Sequence, residues 1–546
     1  MSEKIKVGII LQETIIEQWI FKTIERLRMT DFADIVLVLN PENSDKNSEK
    51  NPSLIFRMHE IIDSILYSGR YSYNTLIECS ALIKDVPVIS YSEAESFQRN
   101  VNEIETRISS AWPELEILLN FSNQAVPDTL LKRSKYGLLT FKVGRNGSPG
   151  NSNAAYYSLV THQPEIECFV TLASIGENEI VVCRSSVSKF SNSIHINLNR
   201  VLGLAELLIP RVVRWLCQKD RRLMNKLARE TSPDIAPALT VFDSPSSYEA
   251  LKNLIRIQMR SLKKKVFYLD NEYWFLLFSQ NDQFNPLNGS FKEFLKLKPS
   301  KDCYWADPFL VYEQGKHYLF IEEYSYRTGR GHLAVLQPDG EGHFQQSEVI
   351  LKAPYHLSYP FIFKYEDTFY MIPETKAERV IQIYRCRNFP GDWEFVTNLM
   401  EDVAAADTTV FYYKNRWWLF TSIDMLNNPE ISFGELFLYY SDDLFAGKWT
   451  SHPLNPVVTE IRQSRPAGRI FEHNGMIIRP SQDCSGGYGK AVNLNQIIML
   501  TESEYEEKII TRFAPDSNSE LAGMHTFNSS HGFYVLDACI LRKRFN

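Results

Sequence analysis

The sequence predicts two folded regions of different class joined by helices. A Rossmann-type α/β domain is expected over 1–190, a basic helical connector over 191–268, and an all-β five-bladed propeller over 269–546. Three observations predict this. Strand-like and helix-like patterns alternate in the first third of the chain. Near residue 270 helical periodicity gives way to short strands separated by tight turns. Within that second half a unit of roughly 50 residues recurs five times.

The α/β reading rests on the order of the elements. Residues 5–11 form an apolar run of strand length, 14–28 have helical periodicity, and 35–39 are strand-like again. Residues 86–90, 116–121 and 137–143 add strands, with a helical 128–134 before the last. Such alternation argues for a parallel, doubly wound sheet. No G-x-G-x-x-G follows the first strand, so a dinucleotide site is not expected.

The connector is the basic part of an acidic chain. Residues 201–265 hold thirteen Lys/Arg against six Asp/Glu, whereas the whole chain is −7. The segment can meet an anionic membrane surface peripherally or brace two acidic domains. Its most apolar stretch, 201–216, contains Glu206, Pro210, Arg211 and Arg214, too many polar residues to cross a bilayer. The Ser- and Pro-containing stretch 231–247 reads as a linker.

Composition narrows the function. With 44 % apolar and 23 % charged residues, the chain is that of a folded globular protein. Its negative charge argues against a nucleic-acid partner. The eight cysteines form no C-x-x-C pair and read as reduced thiols. The apolar run 7–11 is too short for a signal peptide. The expected location is cytoplasmic, with membrane association through the connector. Aromatic residues reach 13 %, and six of the nine Trp lie between Trp274 and Trp449.

The repeat explains that excess. Its units open with Asp307-Pro-Phe, Tyr359-Pro-Phe, Asp407-Thr-Thr, Arg465-Pro-Ala and His525-Thr-Phe, 48–60 residues apart. Aromatic-rich second strands follow, starting at His317, Phe369, Trp417, Met476 and Phe533. Units with three or four strands each fit propeller blades. The last unit is short of strands, and 272–278 would complete it and close the ring. The Tyr, Phe and Trp of the second strands are expected to pack between blades.

First strands line a propeller's channel, so the residues that open them converge. Asp307, Glu374 and Asp407 are the candidate catalytic carboxylates. Glu322, His356, Tyr359, Arg465, Arg479, Gln482, Asp483 and His525 are candidate substrate-binding groups. Converging acids and bases suit glycosyl chemistry, with one carboxyl group as acid, another as base or nucleophile, and arginine holding an anion or sugar hydroxyls. The bland alternative is that these polar residues only cap strands and tie blades together. No metal site is evident, although Asp307, Asp407 and Glu374 together offer cation ligands. Ser485-Gly-Gly-Tyr-Gly lies between strands and reads as a rim rather than a phosphate loop.

Several strings in order carry a resemblance. Trp305-Ala-Asp-Pro-Phe, His356-Leu-Ser-Tyr-Pro-Phe, Met371-Ile-Pro-Glu-Thr, Arg416-Trp-Trp-Leu-Phe, Ser464-Arg-Pro-Ala-Gly-Arg, Arg479-Pro-Ser-Gln-Asp-Cys and Met524-His-Thr-Phe are similar to one family over about 270–546. It is the N-terminal domain family of plant glucosamine inositolphosphorylceramide transferases, also found in bacterial proteins linked to surface polysaccharides. More distantly the region resembles five-bladed glycoside hydrolases of the arabinofuranosidase and fructosidase type, whose first-blade Asp corresponds to Asp307. The resemblance implies a carbohydrate-active enzyme, a glycosyltransferase of cell-surface polysaccharide or glycolipid synthesis, with a glycan or glycolipid substrate. The donor would be a nucleotide sugar, and no other cofactor is implied. Hydrolysis by the propeller and non-catalytic glycan binding or scaffolding are the alternatives.

Residues 1–185 weakly resemble the formyltransferase fold, on Glu116-Ile-Leu-Leu-Asn-Phe and Tyr136-Gly-Leu-Leu-Thr-Phe-Lys. The family's Asn-x-His falls on Thr140 and Lys142, and its Asp falls near Gly176-Glu177. With neither imidazole nor carboxamide at these positions, formyl transfer is not expected. Lys142 reads as a solvated lysine.

Overall fold

The computed structural model describes residues 3–41, 52–67, 72–91, 115–122, 124, 126–144, 152–160, 163–174, 179–219, 223–224, 244–281, 283–338, 344–426, 434–445, 447–516 and 518–543. The positions 176–177 and most of the linker 231–247 fall outside these residues. The chain divides into two units, Met1–Met259 and Arg260–Asn546.

The first unit is built on a seven-stranded sheet. Strands Val88–Tyr91, Ala33–Pro41, Ile5–Ile10, Ile117–Asn120 and Leu138–Val143 run parallel in that spatial order. The sheet is not parallel throughout, as a doubly wound reading expects. Glu165–Ala173 and Ile180–Ser188 add antiparallel strands at one edge. Only six residues join these two, too few for the crossover that parallel pairing demands. The expected helix at 14–28 begins with a short strand, Ile15–Glu17, paired with Leu76–Glu78, and becomes helical at Gln18.

Helix Ile194–Cys217 is part of this unit's core rather than of a separate connector. Seventeen of its residues are buried. Ser193 caps it by accepting from the Ile196 N–H, and Asp63 accepts from the His195 N–H and the Ser193 hydroxyl. Glu206, buried on this helix, is met by Arg26 at 2.5 Å. Only the second helix of the predicted basic segment, Ser247–Phe267, lies largely in solvent. Among the described residues no helix is long and apolar enough to cross a membrane.

The second unit is a five-bladed propeller. Blade one spans residues 303–351, blade two 358–400, blade three 405–451 and blade four 465–513, each an antiparallel sheet in meander order. Blade five is composite. Leu521–Gly523 and Phe527–Ser530 pair with Phe533–Lys543, which pairs with Tyr268–Gln280 from before blade one, and Leu295–Leu297 completes the sheet. The ring therefore closes by strand exchange between the two ends of the repeat, around the predicted 272–278. Closure leaves no open edge at the seam.

Period-2 alternation packs the blades. Trp417 enters the cluster shared by blades one, two and three, and Trp418 next to it enters the cluster shared with blade four. Leu276 faces blade one, while Phe275 and Leu277 face blade four. Successive side chains on a strand point to opposite faces, so one aromatic strand serves two interfaces. All eight cysteines are free thiols.

Candidate functional site

Three blades open with the same backbone irregularity. The pairing of first and second strands slips between Ala306 and Phe309, between Ser358 and Phe361, and between Ala406 and Thr409. In each slip one residue has positive φ: Asp307 at 48°, Tyr359 at 47° and Asp407 at 53°. Asp tolerates this region, but for a bulky Tyr it is a strained outlier held by its surroundings. The bulge re-aims backbone N–H groups between blades. Tyr359 N–H donates to Asp307 Oδ2 at 3.1 Å, and Asp307 N–H donates to Asp537 Oδ2 at 3.0 Å.

One half of the site is an acid–base chain. His525 Nε2 lies 3.5 Å from Asp307 Oδ1, and its Nδ1 lies 2.6 Å from Asp537 Oδ2. All three side chains are buried. Thr526 Oγ1 donates to Asp307 Oδ1 at 2.8 Å. Asp537 also accepts the N–H groups of His525 and Thr526. Burial disfavours the charged imidazole, but Asp537 and Asp307 outweigh it and push His525 up to about 9. Burial pushes Asp307 up to about 6, against the pull of His525. Ligand atoms of this trio lie within 4.8 Å of one another. The 2.6 Å approach of His525 to Asp537 is closer than two ligands on one zinc, each about 2 Å from the metal, can stand at tetrahedral angles.

The other half centres on Arg465. Its Nε donates to Asp407 Oδ2 at 2.5 Å and its Nη2 reaches Glu374 Oε2 at 3.4 Å. Gln482 Nε2 adds a bond to Asp407 Oδ2 at 2.9 Å. Burial pushes Asp407 up to about 7 despite the arginine. Tyr488 covers this half, with the Arg465 guanidinium 5.0 Å from its ring centre and the His525 ring 5.2 Å away. The Tyr488 side of the cluster faces solvent, since that ring is 41 % exposed. The predicted rim 485–489 is thus the element that carries an aromatic face over the cluster. It can approach because position 523 is glycine: a Cβ there would lie 2.1 Å from the Gly489 carbonyl oxygen.

Glu322 and His356 form a third element. Glu322 is buried, and its Oε1 has no hydrogen-bond partner among the described residues. His356 Nε2 is 3.4 Å from that oxygen, while its Nδ1 accepts the Gly331 N–H at 3.0 Å. Burial, reinforced by the charge of Asp307, raises Glu322 well above the ordinary carboxyl range. Burial lowers His356 despite Asp307. Both shifts favour the uncharged forms of this pair.

Three predicted binding residues are used elsewhere. The Tyr359 ring is buried in the inter-blade core, and its hydroxyl binds Thr409 Oγ1 and accepts the Gly468 N–H. Arg479, 1 % exposed, is paired with Glu507 through Nε at 2.8 Å and Nη2 at 2.5 Å, and also donates to the Gln463 carbonyl. Asp483 accepts from Ser485 and Arg512 and fixes the turn that follows it. Asp537, Thr526 and Tyr488 belong to the cluster and are absent from the sequence-based set. In the first unit, Lys142 is not solvated: its ammonium pairs with Glu179. A cavity of about 540 Å³ there is lined by Lys6, Lys132, Arg133, Lys135 and Lys219, among others, and contains none of the predicted site residues.

Fold and site together define a five-bladed propeller with a buried acid–base cluster under an aromatic cover. Comparison with known proteins then places this region more closely. Residues 296–532 match the family described as "Glucosamine inositolphosphorylceramide transferase 1, N-terminal". A relative of that name in Oryza sativa subsp. japonica is 35 % identical over 205 residues, covering 37 % of this chain and 27 % of its own. The Arabidopsis thaliana relative is 31 % identical over 205 residues, covering 26 % of its own length. The chain thus spans about a quarter of the length of the curated relatives it matches. Among solved structures, the family 117 glycoside hydrolase Zg3597 of Zobellia galactanivorans is 11 % identical, with a TM-score of 0.32, over 50 % of this chain and 91 % of its own. Glycinamide ribonucleotide transformylase 1 of Symbiobacterium toebii is 10 % identical, with a TM-score of 0.27, over 40 % and 89 %.

Proposed function

We propose that the protein is carbohydrate-active and acts by glycosyl transfer in the synthesis of a cell-surface polysaccharide or glycolipid, with the axial cluster of the propeller as its active site. The observation that carries this reading is the buried cluster in which Asp307 lies 3.5 Å from His525, Arg465 reaches both Asp407 and Glu374, and Glu322 Oε1 has no hydrogen-bond partner among the described residues. Burial pushes Asp307 up to about 6 and raises Glu322 well above the ordinary carboxyl range, directions that suit a base and an acid respectively. Asp307 takes the proton of the acceptor hydroxyl as that oxygen bonds to the anomeric carbon. The bond from that carbon to the leaving oxygen breaks, and Glu322 supplies a proton there. Arg465, positioned by Asp407 and Glu374, binds sugar hydroxyls or the phosphate of a nucleotide-sugar donor. The names of the rice and Arabidopsis relatives support transfer to an inositolphosphoceramide-type lipid.

The deciding experiment is transfer from nucleotide sugars to glycolipid acceptors by Asp307→Asn. Loss of turnover with an unchanged melting curve is expected, and undiminished turnover overturns the reading. Hydrolysis is the second reading, favoured by the same pair of carboxyl groups. Release of free sugar from glycans without an activated donor would select it.

A further inference from the structure

Helix Ser247–Phe267 has three distinct faces. Its buried face carries Ala250 and Ile257, and Asn253 there donates to the Tyr156 hydroxyl at 2.7 Å. A second face carries Tyr248, Leu251, Ile255, Met259, Leu262 and Val266, spaced by three or four residues and 42–73 % exposed. Helical geometry places these six within one stripe of about 80°. Lys252, Arg256, Arg260 and Lys263 follow the same spacing along the adjoining face. The helix holds six Lys/Arg and one acid, Glu249. A second exposed apolar stripe lies close by. Helix Leu54–Leu66 presents Leu54, Met58, Ile61 and Ile65 at 52–72 % exposure, and packs Phe56 on the same Tyr156 with ring centres 5.1 Å apart.

Exposed apolar stripes of this extent mark an interaction surface. We infer that the Ser247–Phe267 helix docks the protein onto an anionic lipid bilayer, lying in the interface with its apolar stripe among the acyl chains. Charge decides between occupants. A second copy of the chain would set one row of cations against another. A bilayer offers anionic head groups beside hydrocarbon along the whole helix, about 31 Å long. An amphipathic helix with basic residues on its polar side is the pattern that binds there, and it needs no spanning segment. The basic residues sharpen the choice to an anionic rather than a zwitterionic surface. Docking is independent of which reaction the propeller performs.

Vesicle flotation of the full chain tests this. Vesicles of equal parts phosphatidylcholine and phosphatidylserine should carry the protein, and pure phosphatidylcholine vesicles should not. Ile255→Glu with Leu262→Glu should abolish flotation. Arg256→Glu with Lys263→Glu should weaken it at least about tenfold. All four positions are solvent-facing, and circular dichroism checks that folding is kept. The unmodified protein gives an independent measure, since added salt should release it progressively from the anionic vesicles. Failure to float, flotation by the stripe variant equal to that of the parent, or a stripe-dependent dimer without vesicle binding each overturns the proposal.

Discussion

His525 Nδ1 stands 2.6 Å from Asp537 Oδ2, deep under the cover of Tyr488 and with the Trp274 ring centre 4.3 Å from its own. A charged imidazole is thereby built into the propeller where blade five meets blade one. Folding raises its pKa from 6.5 to about 9. A raised base stabilises the fold fully below its unfolded value, and that contribution disappears as pH rises through the folded value. The unfolding free energy of the parent should therefore exceed that of His525→Gln most below pH 6.5. The gap should shrink by up to about 3 kcal/mol by pH 9, as read by urea denaturation at each pH. A gap independent of pH would contradict a charged His525.

The two carboxyl groups predict an activity profile of defined sign. Asp307 must be ionised to act as base, so activity should rise as pH climbs through about 6. Glu322 must keep its proton, so activity should fall again at higher pH as that proton is lost. Glu322→Gln should remove the alkaline limb of the rate profile along with most of the turnover for poor leaving groups. Asp307→Asn, which lacks the base altogether, should be inactive on both limbs of the profile.

Tyr359 predicts a stability effect without an effect on chemistry. Tyr359→Phe leaves the buried Gly468 N–H without an acceptor, which costs about 1–3 kcal/mol. Turnover per folded molecule should stay at the parental level, because the hydroxyl is spent within the core. Urea denaturation and active-site-normalised rates check the two halves.

This residue also shows where the sequence stopped being informative. Five openings 48–60 residues apart were enough to reveal blades, because each opening marks a first strand. They could not reveal that the bulge at Tyr359 presents its N–H to Asp307 while the ring turns into the core. Other displacements were legible in principle. Arg479 and Gln482 are three apart on one strand, so they lie on opposite faces and cannot both reach Asp407. Asp537 occupies the second-strand position held elsewhere by Ile321, Pro373, Thr421 and Pro480. A lone carboxylate in that series is the signal that would have found it. In the first unit the strands were readable as apolar runs, but the reversal between the last two depends on the short connection that joins them rather than on pattern.

Arg479 supplies the sharpest separation of structure from function within blade four. Its guanidinium and Glu507 are both almost fully buried, and Tyr505 donates to the same carboxylate at 2.6 Å. Arg479→Met removes one partner and leaves the other charge in a low-dielectric interior, which costs about 3–5 kcal/mol. Arg479→Met with Glu507→Leu removes both charges and should recover much of that loss, because well-packed apolar replacements of a buried pair are often neutral. Thermal denaturation of the two single variants and the double variant measures the coupling. If Arg479 instead held substrate, the double variant would regain stability yet stay inactive. Parental turnover in the refolded double variant is the outcome its geometry predicts.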